Sequence, residues 1–304
     1  MSEVFCTVFT PTYNRASLLS KLYESLVVQT EKDFEWVIVD DGSSDNTEEV
    51  VKEFIEQDKF KIIYFKQKNG GKHRAINKGL ELCSGKVFAI VDSDDELTYD
   101  SLEKVKRWFD QIGNVNKKFC GVAGNKGYTA EKIVGATFEG EFIDATNIER
   151  RKYNIVGDKF EIYYTEILKK YPFPTFEGEK FMSEIVVWTR MAKDGYLVRW
   201  FNDIIYIAEY QEEGLTSNNF RVLANSPKGY ALRIREQVKY ADLSFKEKMG
   251  YYSNYYFLIK EKKSFSEIKK DLDISGIDLR LSILLRKILI LIRGEKNEYE
   301  NIKN

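Results

Sequence analysis

The sequence predicts an α/β protein: a Rossmann-like, mostly parallel sheet flanked by helices, with a helical region at its carboxyl end. Three observations predict it. Through the first hundred residues, short runs of β-branched and aromatic residues alternate with segments whose apolar residues recur at helical spacing. Each strand-like run stops at a polar cluster rich in Asp, Asn, Gly and Ser. Beyond residue 227 helical patterns take over. Strand and helix in strict alternation mean parallel strands joined by crossover helices. In such sheets ligands gather at the carboxyl ends of the strands.

Taken in order, residues 4–10 read as a strand, 18–29 as a helix and 36–40 as a compact apolar strand. Residues 47–57 read as a helix, with Asp45 and Glu48 expected as its capping pair. A strand over 62–66 and a helix over 74–83 follow, then a strand over 87–91 that runs directly into Asp92, Asp94 and Asp95. In the second half, Ile185, Trp188 and Met191 or Ala192 give 184–192 helical spacing, and 204–210 is strand-like. The tyrosines between 227 and 263 read as helix packing.

Composition excludes several classes of function. The 304 residues are 43% hydrophobic and 14% aromatic, ample for a packed core. A formal net charge of -1 gives no global attraction to nucleic acid. The three cysteines, Cys6, Cys83 and Cys120, form no CxxC pair, which argues against a zinc site and a disulfide framework and for a reducing compartment. Met1 leads straight into a strand without a basic and apolar leader, and no run reaches the ~18 apolar residues of a membrane span. The expectation is a cytoplasmic protein.

The polar residues concentrate where such a sheet binds ligands. The first strand leads into Thr10, Pro11, Thr12, Tyr13, Asn14 and Arg15; the second ends in Asp40, Asp41, Gly42 and Ser43. The third is followed by Asn69, Gly70, Gly71, Lys72 and His73, and the fourth delivers the three carboxylates. Tyr13 can stack on a base, Asp40 or Asp41 can accept hydrogen bonds from a base or ribose, and Lys72 or Arg15 can meet phosphate. Gly70 and Gly71 permit close backbone approach. Carboxylates after a buried strand form an oxygen-donor site for a hard cation. The same residue types also make ordinary turns and helix caps. For His73, the only histidine, a structural or ligand-contact role is favoured over catalysis.

The strings TVFTPTYNR, WVIVDDGSSD and NGGKHRAINKGLELCSGKVFAIVDSDD, in this order and these strand contexts, resemble the amino-terminal half of the family 2 glycosyltransferases with the GT-A fold. The resemblance implies an inverting enzyme that uses a nucleoside-diphosphate sugar, with a UDP-sugar the expected donor, and a divalent ion, manganese or magnesium. It implies nucleotide binding by Thr10, Pro11, Tyr13 and Arg15, a base contact from Asp41 or Asp40, and Lys72 over the base and phosphates. Asp92, Asp94 and Asp95 cover the DxD motif in a longer DxDD form. Asp94 and Asp95 are expected to share ribose and metal contacts, with Asp95 the direct ligand and Asp92 supporting the turn.

The resemblance assigns residues 1–218 to a catalytic domain, with a nucleotide-binding half over 1–100 and an acceptor half over 101–218. Many members open a helix with a Glu-Asp pair whose second carboxylate is the general base. Here that pair reads Ser183 and Glu184, a departure that leaves Glu179 of the preceding EGEK segment as rival to Glu184. The 210–218 segment, with Gln211, Thr216, Ser217 and Asn218, reads either as a phosphate-covering loop or as plain surface. Arg221 and Lys228 follow it. Residues 219–304 form the helical region. Its segment 277–293, with Arg280, Arg286, Lys287 and Arg293, reads as a helix lying on the inner face of a membrane or docked on protein. The acceptor implied is a polysaccharide or a lipid-linked saccharide. Two other classes compete: a nucleotidyltransferase, whose glycine-rich opening loop TPTYNR lacks, and a catalytically silent nucleotide-sugar-binding module or receiver-like regulator.

Overall fold

The computed structural model describes residues 4–209 and 219–293. Among the described residues the chain forms β1 (Val4–Thr12), α1 (Ala16–Val27), β2 (Phe34–Asp40), α2 (Thr47–Glu56), β3 (Lys61–Lys66), α3 (Lys72–Leu82) and β4 (Gly85–Ile90). Next come β5 (Glu96–Leu97), α4 (Ser101–Gly113), β6 (Phe119–Gly127), β7 (Phe142–Ala145), β8 (Lys159–Tyr164), α5 (Thr165–Leu168), α6 (Ile185–Lys193) and β9 (Leu197–Ile207). The chain then turns wholly helical, with α7 (Asn219–Ala224), α8 (Pro227–Tyr240), α9 (Phe245–Ile259), α10 (Phe265–Leu272) and α11 (Gly276–Arg293).

The expected alternation is observed. One sheet runs β3-β2-β1-β4-β8-β6-β9-β5, with β7 on β9. The first four strands in that order are mutually parallel; β8 is antiparallel to both β4 and β6, and β9 rejoins β6 in parallel. Being central, β1 and β2 are buried on both faces, which is why they read as predominantly apolar runs. Phe9 pairs in register with Val37 and Ile90 and stacks on Phe88 at 5.1 Å. Helix α3 approaches β1 so closely that a Cβ on Gly79 would lie 2.2 Å from the Phe9 ring. At the amino-terminal end of the sheet, buried Glu35 accepts from Thr7, from the Ser84 amide and hydroxyl, and from Lys61 at 2.5 Å. That carboxylate ties three strands together.

One expectation about caps is corrected. Asp45 and Glu48 do not form a reciprocal pair: Asn46 occupies the cap position of α2, and Asp45 instead bridges two helix starts. Its Oδ1 accepts from Thr47, and its Oδ2 accepts the Ala16 amide of α1 at 3.1 Å. Glu48 pairs with Lys52 and Lys66. True capping boxes occur later, Ser244 with Glu247 and Ser264 with Glu267.

The described residues divide into two compact units, 4–173 with 190–209 and 174–189 with 219–293. The sheet and its helices make the first, with Trp36, Trp108 and Phe201 in the core. In the second, Ile234, Tyr255, Ile259, Ile268, Leu272 and Leu279 form a separate apolar core between helices. No helix among the described residues is long and apolar enough to cross a membrane.

Candidate active site

The rim at the carboxyl ends of β1, β2 and β4 is a web of short polar contacts. Asn14 adopts a left-handed φ of 51°, its amide donates to Ser43 Oγ at 2.8 Å, and its side-chain oxygen accepts the Ser44 amide. The loops after β1 and β2 are thereby fastened together. Tyr13 stays 49% exposed, Pro11 is partly buried, and Arg15 swings across to the loop after β4. Thr10 differs from its reading as a ligand contact: it is fully buried, and its hydroxyl accepts the Trp36 indole N–H at 2.9 Å. Strand alternation explains this, since Thr10 falls on the same face of β1 as Cys6 and Val8, which pack in the core cluster with Trp36.

The two aspartates after β2 do different work. Asp40 is fully buried and accepts the Ser43 amide and the Tyr64 hydroxyl, each at 2.7 Å. Asp41 accepts Gln67 Nε2 at 2.7 Å, the Gly70 amide at 2.9 Å and the Gly71 amide at 2.6 Å. It therefore clamps the glycine loop that opens α3. Gly71 takes a φ of 96° there, a conformation that suits glycine. His73, buried in the first turn of α3, lies with Nε2 3.1 Å from Arg74 Nη1. Burial, helped by the adjacent guanidinium, pushes its pKa down to about 4, so the ring is neutral at pH 7. That favours the structural reading of His73.

The three carboxylates after β4 part company. Asp92 Oδ1 lies 2.7 Å from Lys72 Nζ, and Asp94 Oδ2 lies 2.8 Å from Arg15 Nη1. Their side chains are 35% and 18% exposed, so solvent reaches both. Burial opposes charge on Asp92, but Lys72, Lys126 and Arg15 outweigh it and hold its carboxyl below the usual range. Asp95 is enclosed: Tyr206 donates its hydroxyl to Oδ2 at 2.5 Å and the Glu209 amide donates to Oδ1 at 2.8 Å. Burial pushes its pKa up to about 6, with Asp92 adding to the rise and Lys126, 4.0 Å away, opposing it. Both oxygens of Asp95, the expected direct metal ligand, are thus committed to protein donors. Among the described residues no three His, Cys, Asp or Glu side chains converge on one point as a ready metal cage.

Tyr206 and Lys126 are members of this cluster that the sequence reading missed. Tyr206 accepts the Asp92 amide at 3.1 Å while donating to Asp95, and burial keeps its hydroxyl protonated. Lys126 Nζ sits 3.9 Å from the centroid of the Tyr206 ring. They stand at the ends of β6 and β9, and only the pairing of Lys126 with Tyr206 in the sheet brings them to the carboxylates. A lysine ending one apolar run and a tyrosine inside another were the available signals.

In the second unit, the rival bases are distinguished. Glu179 is buried and receives the Lys228 amide on Oε1 and the Gly229 amide on Oε2, both at 2.9 Å. It holds the amino-terminal end of α8, where a carboxylate complements the helix dipole. A Cβ on Gly229 would stand 2.8 Å from the Phe181 carbonyl, so this close approach requires glycine. Both oxygens of Glu179, the rival candidate base, are thus engaged at the start of α8. Glu184 is only partly buried, and its carbonyl accepts the Val187 and Trp188 amides at the start of α6. Lys228 contributes its backbone to the Glu179 cap, and Arg221 lies in α7. Gln211, Thr216, Ser217 and Asn218 lie outside the described residues.

Residues 7–171, more than half of the chain, match the family model described as Glycosyl transferase family 2. The chain belongs to that family. A β-1,3-glucosyltransferase from Campylobacter jejuni named for GalNAc(5)-diNAcBac-PP-undecaprenol is 28% identical over 194 residues, 62% of this chain and 60% of that protein. The first curated relatives it matches are spanned by the chain over 14% to 60% of their length. The fold is shared with S. aureus TarS 1-349 in complex with UDP-GlcNAc, at a TM-score of 0.62 and 19% identity over 88% of this chain and 78% of that one. It is also shared with the mannosyltransferase PcManGT of Pyrobaculum calidifontis in complex with GDP-Man and Mn2+, at 0.54 and 18% over 99% and 83%. The expected GT-A architecture is thereby met, with a sheet whose rim carries the carboxylates of this family 2 chain.

Proposed function

We propose that the chain is an inverting glycosyltransferase, taking a sugar from a UDP-sugar and passing it to a hydroxyl of a polysaccharide or lipid-linked saccharide. The observation that carries the reading is the pairing of Arg15 with Asp94 and of Lys72 with Asp92 on one sheet rim. Cations and carboxylates paired in this way suit a metal diphosphate, because the carboxylates can turn to the ion and the cations to phosphate oxygens. The nucleotide sugars bound by two proteins of this fold, UDP-GlcNAc and GDP-Man, support a nucleoside-diphosphate sugar, and uridine is the nucleoside that the family resemblance implies.

In this reading Asp94, with Asp92 beside it, would hold manganese or magnesium. Both are oxygen donors that solvent reaches, and hard ions take one or two carboxylates together with phosphate and water. When bound, the ion supplies charge that stabilises the departing diphosphate. Tyr13 offers its exposed ring to the base. Asp41 keeps Gly70 and Gly71 in the conformation that lets a ligand approach the backbone. Glu184 takes the proton from the acceptor hydroxyl as that oxygen attacks the anomeric carbon. Attack from the face opposite the diphosphate inverts the configuration.

The test is a transfer assay with manganese and a panel of UDP-sugars and GDP-sugars, reading nucleoside diphosphate release and then the anomeric configuration of the product by NMR. The proposal expects UDP release and an inverted linkage that Asp94→Ala suppresses. Retained configuration, or turnover indifferent to Asp94, overturns it.

A further inference from the structure

Helix α11 carries an apolar stripe that the fold does not use. Ile277, Leu284, Ile288, Leu291 and Ile292 are 77%, 54%, 40%, 82% and 75% exposed. At about 100° per residue they share one side of the helix. The opposite side carries Leu279 and Ser282, both buried, with partly buried Ile283. The packing of α11 onto the helical core is therefore met by a different set of residues. A continuous exposed stripe of this kind marks an interaction surface.

Charge identifies the occupant. Arg280 and Lys287, both exposed, run along one flank of the stripe a helical repeat apart. The helix contains four cations, at 280, 286, 287 and 293, against a single acid, Asp278. That acid is turned to its own helix start, accepting from Ser275 Oγ at 2.7 Å. We propose that the outward face of α11 lies on an anionic lipid surface, its aliphatic side chains entering the headgroup boundary and Arg280 and Lys287 meeting lipid phosphates. A second copy of the chain is a poorer occupant, since two-fold pairing of this face would bring the flanking cations toward their own counterparts. Crossing the bilayer is closed to this helix, whose charges at 280, 286 and 287 interrupt its apolar run. The inference is independent of the proposed reaction.

The whole chain is sedimented with vesicles of phosphatidylcholine alone and of phosphatidylcholine mixed equally with phosphatidylglycerol. It should pellet with the mixed vesicles, be released by added salt, and remain in solution with phosphatidylcholine. Leu284→Ser combined with Leu291→Ser should abolish pelleting without shifting the unfolding temperature. Arg280→Gln combined with Lys287→Gln should weaken it roughly 30-fold, about five-fold per cation. No pelleting of the wild type, equal pelleting with both vesicle types, or a wild-type dimer that the leucine variant turns into monomer without any lipid binding would each overturn the proposal.

Discussion

At the residue scale, the surroundings of each carboxylate separate acids that look alike in the sequence. The resemblance made Asp95 the direct metal ligand of the run DSDD and Asp92 a support of the turn, yet Asp92 and Asp94 are the two that solvent reaches, because Tyr206 and the Glu209 amide close on Asp95. Nothing near residue 95 in the sequence announces a tyrosine 111 positions away. The folded pKa of Asp95, about 6, exceeds its unfolded 3.8, so the native state holds that proton more tightly. Its contribution to stability is full below about pH 4 and is lost as pH rises through about 6, a change on the order of 2 to 3 kcal/mol. His73, whose folded pKa of about 4 lies below its unfolded 6.5, gains stability over the same window, so the Asp95 contribution is read as a difference: in urea unfolding, Asp95→Asn, neutral throughout, should gain stability relative to the wild type as pH rises from about 4 to 6. Glu179 and Glu184 separate in the same manner. Glu179→Gln should lower stability by about 1 kcal/mol in thermal unfolding, since it removes the charge that caps α8. Glu184→Gln should leave both stability and UDP affinity unchanged while cutting turnover about 10²- to 10⁴-fold, as for a lost general base. Equal effects of the two variants on turnover would contradict the assignment.

At the scale of elements, the strands and helices of the first ninety residues were legible, and most of the later strands were not. β1, β2 and β4 announce themselves as predominantly apolar runs because both faces are largely covered. By contrast β6, β7 and β8 carry glycine, asparagine or charged residues whose environment depends on pairing across long sequence separations. Even β9 was recognised only over its last four residues, 204–207. Gly79 is informative because α3 rests on β1 at this point. Gly79→Ala should destabilise by about 1 to 3 kcal/mol, since the added methyl meets the Phe9 ring and Phe9 is already stacked on Phe88. Gly113→Ala, at the end of α4 with open space around it, should instead be neutral or stabilise by up to about 1 kcal/mol. Chemical denaturation of the two variants side by side checks the pair. Asp41→Ala removes the acceptor for Gln67 and for the Gly70 and Gly71 amides, so it should loosen the start of α3 as well as weaken nucleotide binding. Faster hydrogen exchange at Gly70 and Gly71 would register this directly.

At the scale of the whole molecule, four strand ends were read as one rim, and the contacts among the loops after β1, β2 and β4 bear out that convergence. Parallel strands with crossover helices make it legible, because topology alone sends their carboxyl ends to one edge. The chemistry of the rim required more: the pairing of Arg15 with Asp94 and Lys72 with Asp92 joins segments up to 79 residues apart. In the function proposed, these paired charges form the site of a metal-bound nucleoside diphosphate. Calorimetric titration of the wild type and of Asp94→Ala with UDP and with GDP, each with and without manganese, tests it most directly. UDP should bind only with manganese and more tightly than GDP, and Asp94→Ala should lose that binding while keeping the fold. Absence of binding to either nucleotide with manganese present, or undiminished binding in Asp94→Ala, would contradict it.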